Sequence, residues 1–413
     1  MTQWIKRVGI AAAHGFEYYN IAVYSAIQTY IALLFFPETL FGQNAAIFAW
    51  LPFILRFISR PFGGLFIGLY ADRYGRKSAL VLTSGLTGCA TLVMGLLPTY
   101  AEVGGLAPIL FFIMQLLQAF CFGGENPAAI AYLYESAHKN EHARIGALLW
   151  GAPFLSIALS LIVVAITESY LTHAQMLDFG WRIPVLLGVG NIMISYYFRK
   201  NLIESKKFVR STSIAIQKIP TLKIFFLYVP SSILFYGNSI SSTILIQKMT
   251  SDPSLRVILP ILCNVTFFVG SLTLSLWVDR YFNYQKVLKF SYTLVLFGAV
   301  PVYALQELHN WYAFALSQLC ITFFVACTTS LSPATIFNST LAKNRISTIG
   351  LGINCAIIFV GAFTPMLVSI LSQYNQAFVG LMMSIGAISY FIALYLDQYI
   401  QPNTSVIKQG SNV

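Results

Sequence analysis

Eighteen residues, Arg60–Lys77, constrain this chain more than any others: R-P-F-G-G-L-F-I-G-L-Y-A-D-R-Y-G-R-K. An apolar, glycine-rich helix end runs into a dense polar knot, Asp72-Arg73-Tyr74-Gly75-Arg76-Lys77. Gly64 and Gly68 stand four apart, on one helix face, where a neighbouring helix can approach closely. Asp72 is placed to pair with arginines or to cap the next helix. Gly75 permits the tight reversal. The polar boundary at which the helix ends is a membrane surface, because 57% of the 413 residues are hydrophobic and only 9% charged. A soluble domain carries about a quarter charged residues. Apolar runs of ~20 residues recur along the whole length and read as many transmembrane helices rather than one core.

Twelve spans are expected, at about 8–34, 45–71, 78–97, 107–135, 145–167, from Trp181–Pro184 to near Phe198, and at about 224–247, 257–278, 287–305, 312–338, 347–371 and 377–397. Pro37 and Glu38 fall in a short outer loop. The stretch 199–220 is polar and basic, and divides the chain near its middle. The organisation predicted is an N-terminal six-helix half (1–198), a cytosolic connector (199–220), a C-terminal six-helix half (221–398) and a polar tail (399–413). Asp72-Arg73-Tyr74 recurs half a chain-length later as Asp279-Arg280-Tyr281, again after an apolar helix and before basic residues. The second copy has Phe282 at the position of Gly75. A parallel repeat of two halves places a ligand site near the midplane between them.

The net charge of +11 raises the question of a polyanionic partner. Most of the 25 Lys and Arg fall in loops on one side of the twelve-helix map, with Arg182, Lys248 and Arg256 opposite. That is positive-inside patterning, which sets orientation rather than binding nucleic acid. An even number of spans puts both termini in the cytosol. Met1–Lys6 is short and polar and runs directly into a span, so no cleavable leader is expected. Cys89, Cys121, Cys263, Cys320, Cys327 and Cys355 all lie in apolar segments without metal-ligand spacing, and read as small packing residues. No G-x-x-x-x-G-K-(S/T), H-E-x-x-H or G-x-S-x-G motif occurs, so the sequence offers no ATPase, metalloprotease or hydrolase chemistry and calls for no cofactor.

The knot is similar to the signature loop between helices 2 and 3 of the major facilitator superfamily, G-x-x-x-(D/G)-R-x-G-R-(R/K), through Gly68, Asp72, Arg73, Gly75, Arg76 and Lys77. Four further stretches resemble the metabolite:proton symporter family, whose members carry citrate, dicarboxylates, proline, betaine or shikimate. They are Gly15–Tyr24 (E-W-Y-D-F-x-x-Y), Arg60–Gly64 (R-P-x-G-G), Gly123-Gly124-Glu125 with Tyr134-Glu135 (G-G-E…A-E), and Gly180–Pro184 (G-W-R-I-P). The C-terminal half matches loosely, through Asp279-Arg280, Arg345, Asn354 and Thr364-Pro365. The chain departs from the family at Asn20, where the family usually has Asp. A proton-carrying role does not transfer to that position, which leaves Glu17 and Glu125. Arg56 stands where the family pattern has an apolar residue.

Ionisable side chains at mid-depth cost about 2.5–3.5 kcal/mol on insertion scales and mark cavities or pairs. Glu17, Arg56, Arg60 and Glu125 are the four expected there; a rise of ~1.5 Å per residue puts Arg60 about 18 Å inside Asp72. One reading is a cavity with two cations for a carboxylate and two acids that pair with them or take a proton. The plainer reading is two structural ion pairs, Arg60–Glu125 and Arg56–Glu17. His14, one turn before Glu17, reads more simply as a hydrogen-bonded core residue. Tyr24, Asn20, Asn238 and Asn354 are the polar candidates to join Arg56 and Arg60 in binding. Glu135 and Arg144 flank the 4–5 loop and, with Asp72, Arg73, Gly75, Arg76, Asp279 and Arg280, form a gate-closing group. The function these features favour is proton-coupled import of a small polar metabolite, a carboxylate or citrate-like compound including carboxylate siderophores. The expected setting is the cell's inner membrane, with protons and lipid as the other partners and a monomer as the working unit. Export or antiport on the same fold, uptake of a zwitterion such as proline or betaine, and a non-transporting receptor are the alternatives.

Overall fold

The computed structural model describes residues 3–36, 45–205, 208–211, 215–250, 252–308 and 310–397. Pro37, Glu38, parts of the connector and the 399–413 tail lie outside the described residues. Among the described residues the long helices are α1 (Gln3–Ala26, resuming as Gln28–Phe35), α2 (Ala45–Tyr74), α3 (Arg76–Leu96), α4 (Leu106–Glu135), α5 (His142–Tyr170), α6 (Arg182–Lys200), α7 (Lys218–Met249), α8 (Pro253–Tyr281), α9 (Tyr284–Ala304), α10 (Trp311–Asn338), α11 (Arg345–Tyr374) and α12 (Gln376–Tyr395). Long apolar runs become helices here because a bilayer offers no partner for an unsatisfied backbone N–H or C=O. Local caps set the ends: the side chains of Asp252, Asn283, Asn310 and Asn375 accept from the first-turn N–H groups of α8, α9, α10 and α12.

By length and composition nine described helices are able to cross a membrane, or ten if His173–Gly180 and Arg182–Lys200, bent by 41°, form one span. α1 stays outside that set because its middle turns carry His14, Glu17, Tyr18, Tyr19 and Asn20. α8 turns a broad apolar side outward, with Leu262, Val269, Leu276 and Trp277 exposed, as a lipid-facing helix does.

Several expected ends shift; α7, for one, begins at Lys218 rather than near 224, taking 218–220 out of the expected connector. α1 begins at Gln3 rather than near residue 8, because Arg7 is anchored: its Nη1 donates to Glu141 at 2.9 Å and its Nη2 to the Ser136 carbonyl. α6 continues to Lys200, which takes Arg199 out of the expected connector and into the bundle.

Within the first half, α4 packs on α2 and α3, α3 on α6, and α1 on α5 and α6; within the second, α12 packs on α7 and α9, and α10 on α8 and α9. Between the halves, α5 meets α8 and α10, while α11 meets α2 and α4. Under the repeat, α2 corresponds to α8 and α5 to α11, so α2·α11 and α8·α5 are equivalent contacts. Glycine makes the first of them possible. A Cβ on Gly350 would lie 2.6 Å from the Gly64 carbonyl oxygen, and one on Gly68 would lie 2.7 Å from Ser347 Cα. Backbone that close leaves no room for a side chain. Replacing Gly68 by Val therefore forces α2 and α11 apart at the end where Asp72 sits. In a background with the native cysteines replaced, a cysteine at the buried position Ile346 should label several-fold faster with a membrane-impermeant maleimide once Gly68→Val is added.

Candidate functional site: a sealed end and a buried charge cluster

Asp72, at the last turn of α2, does not cap the next helix. It reaches across to the other half and caps α11, accepting from the N–H groups of Ile346 (3.1 Å) and Ser347 (3.0 Å) and from Ser347 Oγ (2.8 Å). Asp279, its repeat mate on α8, caps α5 in the same way, accepting from the N–H groups of Ala143 and Arg144, both at 2.9 Å, and from Arg144 Nε at 3.0 Å. Each carboxylate meets a helix N-terminus, where unpaired N–H groups and the helix dipole favour negative charge. Glu135, fully enclosed at the end of α4, ties the halves a third time: Arg76 Nη2 of its own half lies at 2.9 Å and Arg345 Nη1 of the other at 3.1 Å. The N-terminus of α3 is capped by Glu204, which accepts from Arg76 N–H and Lys77 N–H. Gly75 makes this turn with φ of +106°, and a Cβ there would sit 2.2 Å from Glu204 Oε2. Arg73 and Arg280 stay exposed, lying over Tyr74 and Tyr281. Of the expected gate group, Asp72, Glu135, Arg144 and Asp279 thus tie the two halves together at this end, and Arg76 holds Glu135 in place.

Deeper in the first half lies a second cluster. Arg199 Nη2 donates to Glu125 Oε1 at 2.5 Å, and Arg199 Nη1 donates to the Leu80 carbonyl and to Ser84 Oγ of α3. Side chains on a helix lean toward its N-terminus, so Arg199, although near the end of α6, carries its guanidinium inward. His14 Nδ1 is 3.8 Å from Glu125 Oε1, and the His14 ring stacks on Phe122 at 5.7 Å. Glu17, 6% exposed, is buried beside Glu125.

Neither ion pair expected from the sequence forms. Arg56 Nη1 donates to Gln115 Oε1 at 2.7 Å, and the Arg60 guanidinium lies over the Phe122 ring at 4.4 Å. Both arginines are buried, at 7% and 6% exposure. Among the described residues no carboxylate stands within ion-pair distance of either. They face two adjoining cavities that share Arg60 and Tyr236. One adds Ile21, Arg56, Phe57, Ala119 and Phe122; the other is lined by Tyr18, Trp150, Tyr228, Phe235 and Ile357 with Ser231 and Ser232. These cavities lie between the halves, since Tyr18 and Trp150 come from α1 and α5, and Tyr228, Phe235 and Tyr236 from α7.

The remaining candidates sit elsewhere. Asn20 and Tyr24 line a separate pocket with Thr91, Phe111, Gln115 and Trp181 inside the first half. Asn354 donates to the Gly123 and Gly350 carbonyls at 2.8 and 2.7 Å, joining α11 to α4. Asn238 accepts from Ser242 Oγ, which also donates to Gln318. Sequence reasoning missed Arg199 and Gln115. The signal for Arg199 was Glu125 itself, an acid at depth that needs a cation, with one inward-leaning arginine available on the last turn of α6. All six cysteines are free thiols.

Comparison with known proteins agrees with this architecture. Residues 19–350 match the Major Facilitator Superfamily, and the chain belongs to that family. Its long apolar helices are those of a multi-pass membrane protein. A Staphylococcus aureus (strain COL) protein provisionally named a proline/betaine transporter is 35% identical over 204 residues, 49% of this chain and 43% of that protein. The ectoine/proline transporter ProP of Corynebacterium glutamicum is 31% identical over 204 residues, 48% of this chain and 40% of its own length. This chain therefore spans less than half the length of these two relatives. The alpha-ketoglutarate permease of Escherichia coli is 24% identical over 411 residues, 95% of this chain and 93% of its own. Among solved structures, the proton:xylose symporter XylE bound to 6-bromo-6-deoxy-D-glucose superposes with a TM-score of 0.74 at 14% identity, covering 96% and 95% of the two chains.

The two aspartate caps make a direct prediction. A charged hydrogen bond contributes about 1.5–3 kcal/mol, so Asp72→Asn and Asp279→Asn should each weaken closure and together weaken it further. Spin labels on the α2–α3 turn and the α10–α11 loop should show a longer-distance population in each variant, largest in the double.

Proposed function

We propose that this protein is a proton-coupled symporter that imports a small carboxylate across a cytoplasmic membrane, with both termini in the cytosol and the sealed end facing the cytosol. The observation that carries this reading is the pair Arg56 and Arg60. Two guanidiniums at depth, without a carboxylate at ion-pair distance among the described residues, are costly as they stand. An entering carboxylate supplies the missing charge, and the planar fork of arginine suits it. A dicarboxylate or a citrate-like compound, carboxylate siderophores included, has a carboxylate for each arginine. The permease named for alpha-ketoglutarate, which aligns along nearly the whole chain, supports the same class. Glu17 and Glu125, one shell away, supply the proton-binding chemistry that symport needs. With the cytosolic end shut, a substrate reaches the arginines from outside, as import requires.

A second reading rests on the aromatic rings around Arg60. Tyr18, Trp150, Tyr228 and Tyr236 share its cavity, and such rings favour a quaternary ammonium. A betaine would place its carboxylate on Arg60 and its ammonium among the rings, without use of Arg56. The relatives named for proline, betaine and ectoine transport favour this alternative within the same symport scheme.

Uptake of radiolabelled citrate, a dicarboxylate, proline, betaine and a citrate-type siderophore into proteoliposomes separates the two. One di- or tricarboxylate should accumulate only under an inward proton gradient, and Arg56→Ala should lower its uptake by roughly tenfold, about 1.4 kcal/mol of lost binding. Uptake of betaine or proline instead, unchanged in Arg56→Ala, would favour the aromatic reading and return Arg56 to a structural role.

A further inference from the structure

An arginine side chain carries five N–H donors and no acceptor, so a buried guanidinium must be met by oxygens from its surroundings. For Arg56 that oxygen belongs to an uncharged amide: Nη1 donates to Gln115 Oε1 at 2.7 Å. Both side chains are buried, Gln115 at 1% exposure and Arg56 at 7%. The pair is set on a rigid frame. Beside it, Ser59 Oγ of α2 donates to the Leu116 carbonyl of α4 at 3.0 Å. Beyond it the two helices approach backbone to backbone. A Cβ on Gly63 would lie 1.8 Å from the Phe120 carbonyl oxygen, and one on Gly123 would lie 2.1 Å from the Arg60 carbonyl oxygen. α2 and α4 belong to the same half, so this contact does not cross the boundary between the halves.

Resting on the carboxylate reading above, we infer that Gln115 is a positioning residue that sets the specificity of the site: it holds Arg56 in place with a neutral acceptor and so leaves the guanidinium charge for an incoming carboxylate. Glutamate has nearly the same shape and accepts the same bond, but would bring the anion itself. Recognition of a carboxylate then depends on this position being an amide. Arg56 lines the cavity that contains Arg60, whereas Gln115 lines the pocket of Asn20, Tyr24 and Thr91 within the first half. The hold on Arg56 therefore comes from outside the cavity that the substrate enters.

Arg199 shows what a carboxylate at this distance does. It meets Glu125 Oε1 at 2.5 Å, and both side chains are fully enclosed. That arginine has no charge left to offer a ligand. Arg60 resembles Arg56 instead, with its guanidinium over the Phe122 ring at 4.4 Å. An amide oxygen and an aromatic face each carry only partial negative charge. They orient a guanidinium and leave most of its positive charge at the cavity. Each of the two arginines is thus oriented, neither is neutralised, and the substrate carboxylates complete them.

Two measurements test this, the first without any substrate. Thermal unfolding of the purified, ligand-free protein in detergent compares Gln115→Glu made in the wild type with Gln115→Glu made in Arg56→Gln. In the wild type the new carboxylate completes a buried ion pair, and the unfolding midpoint should rise by about 2 °C or more. In Arg56→Gln it meets no cation, and the midpoint should fall. A shift of the same sign in both backgrounds would overturn the claim that Gln115 holds an uncompensated Arg56. The second measurement is uptake of radiolabelled citrate and alpha-ketoglutarate into proteoliposomes. Gln115→Glu should raise KM for the carboxylate that the wild type accumulates by roughly tenfold or more, the scale of a charge pair removed from binding. Gln115→Leu, which loses the acceptor but adds no charge, should raise KM by a smaller factor. A merely structural role gives the opposite order, since glutamate keeps the hydrogen bond and leucine does not. That order, or wild-type uptake in Gln115→Glu, would overturn the inference. If the wild type takes up neither compound nor any other carboxylate, the carboxylate reading fails and the specificity role with it, while the unfolding comparison still decides whether Gln115 holds Arg56.

Discussion

Everything in this structure depends on two aspartates that reach across the boundary between the halves. Asp72 caps α11 and Asp279 caps α5. A helix start at a membrane surface leaves N–H groups without partners, and each half supplies the acceptor that the other lacks. The bond is strong enough to seal one end and weak enough to release, since a net charged hydrogen bond contributes only a few kcal/mol. Glu135, shared by Arg76 and Arg345, adds a third tie between the halves. The glycine approach of α2 to α11 brings the backbones near enough for the Asp72 cap to form, so the apolar and polar parts of the contact require each other.

Sealing one end gives the buried charges their meaning. Arg56 and Arg60 lie in cavities between the halves, inside the closed end. The Glu125–Arg199 pair stands apart from this cavity, satisfied within the first half. Arg199 thus has a carboxylate partner, while Arg56 and Arg60 have none at ion-pair distance among the described residues. The carboxylate reading uses both Arg56 and Arg60, whereas the betaine reading uses Arg60 and leaves the rest of the molecule to the aromatic rings.

Much of this was legible in the sequence, and the exceptions have a common cause. The helices and the half-length repeat follow from apolar run length and from local motifs, which are near in sequence. Asp72 was recognisable as a capping acid, but its target is 274 residues away, and no local rule points there. The expected ion pairs Arg60–Glu125 and Arg56–Glu17 were inferred from depth alone. Depth does not fix rotation about a helix axis, and Arg60 turns to Phe122 while Glu125 turns to Arg199. Arg199 looked cytosolic because it begins a basic run; the inward lean of a long side chain on a last helical turn takes it back into the bilayer. Asn354 was a reasonable polar candidate at mid-depth, and it spends its donors on the backbone carbonyls of Gly123 and Gly350.

The central claim is that carboxylate and proton enter together, and the most direct measurement is the external pH of a weakly buffered proteoliposome suspension. A carboxylate that the protein carries is added outside, with no imposed proton gradient. Entry of the substrate down its own gradient should draw protons inward and make the medium more alkaline, and a protonophore should abolish the signal. Acidification would mean antiport, and substrate entry with no proton movement would mean uniport; either result would contradict the account.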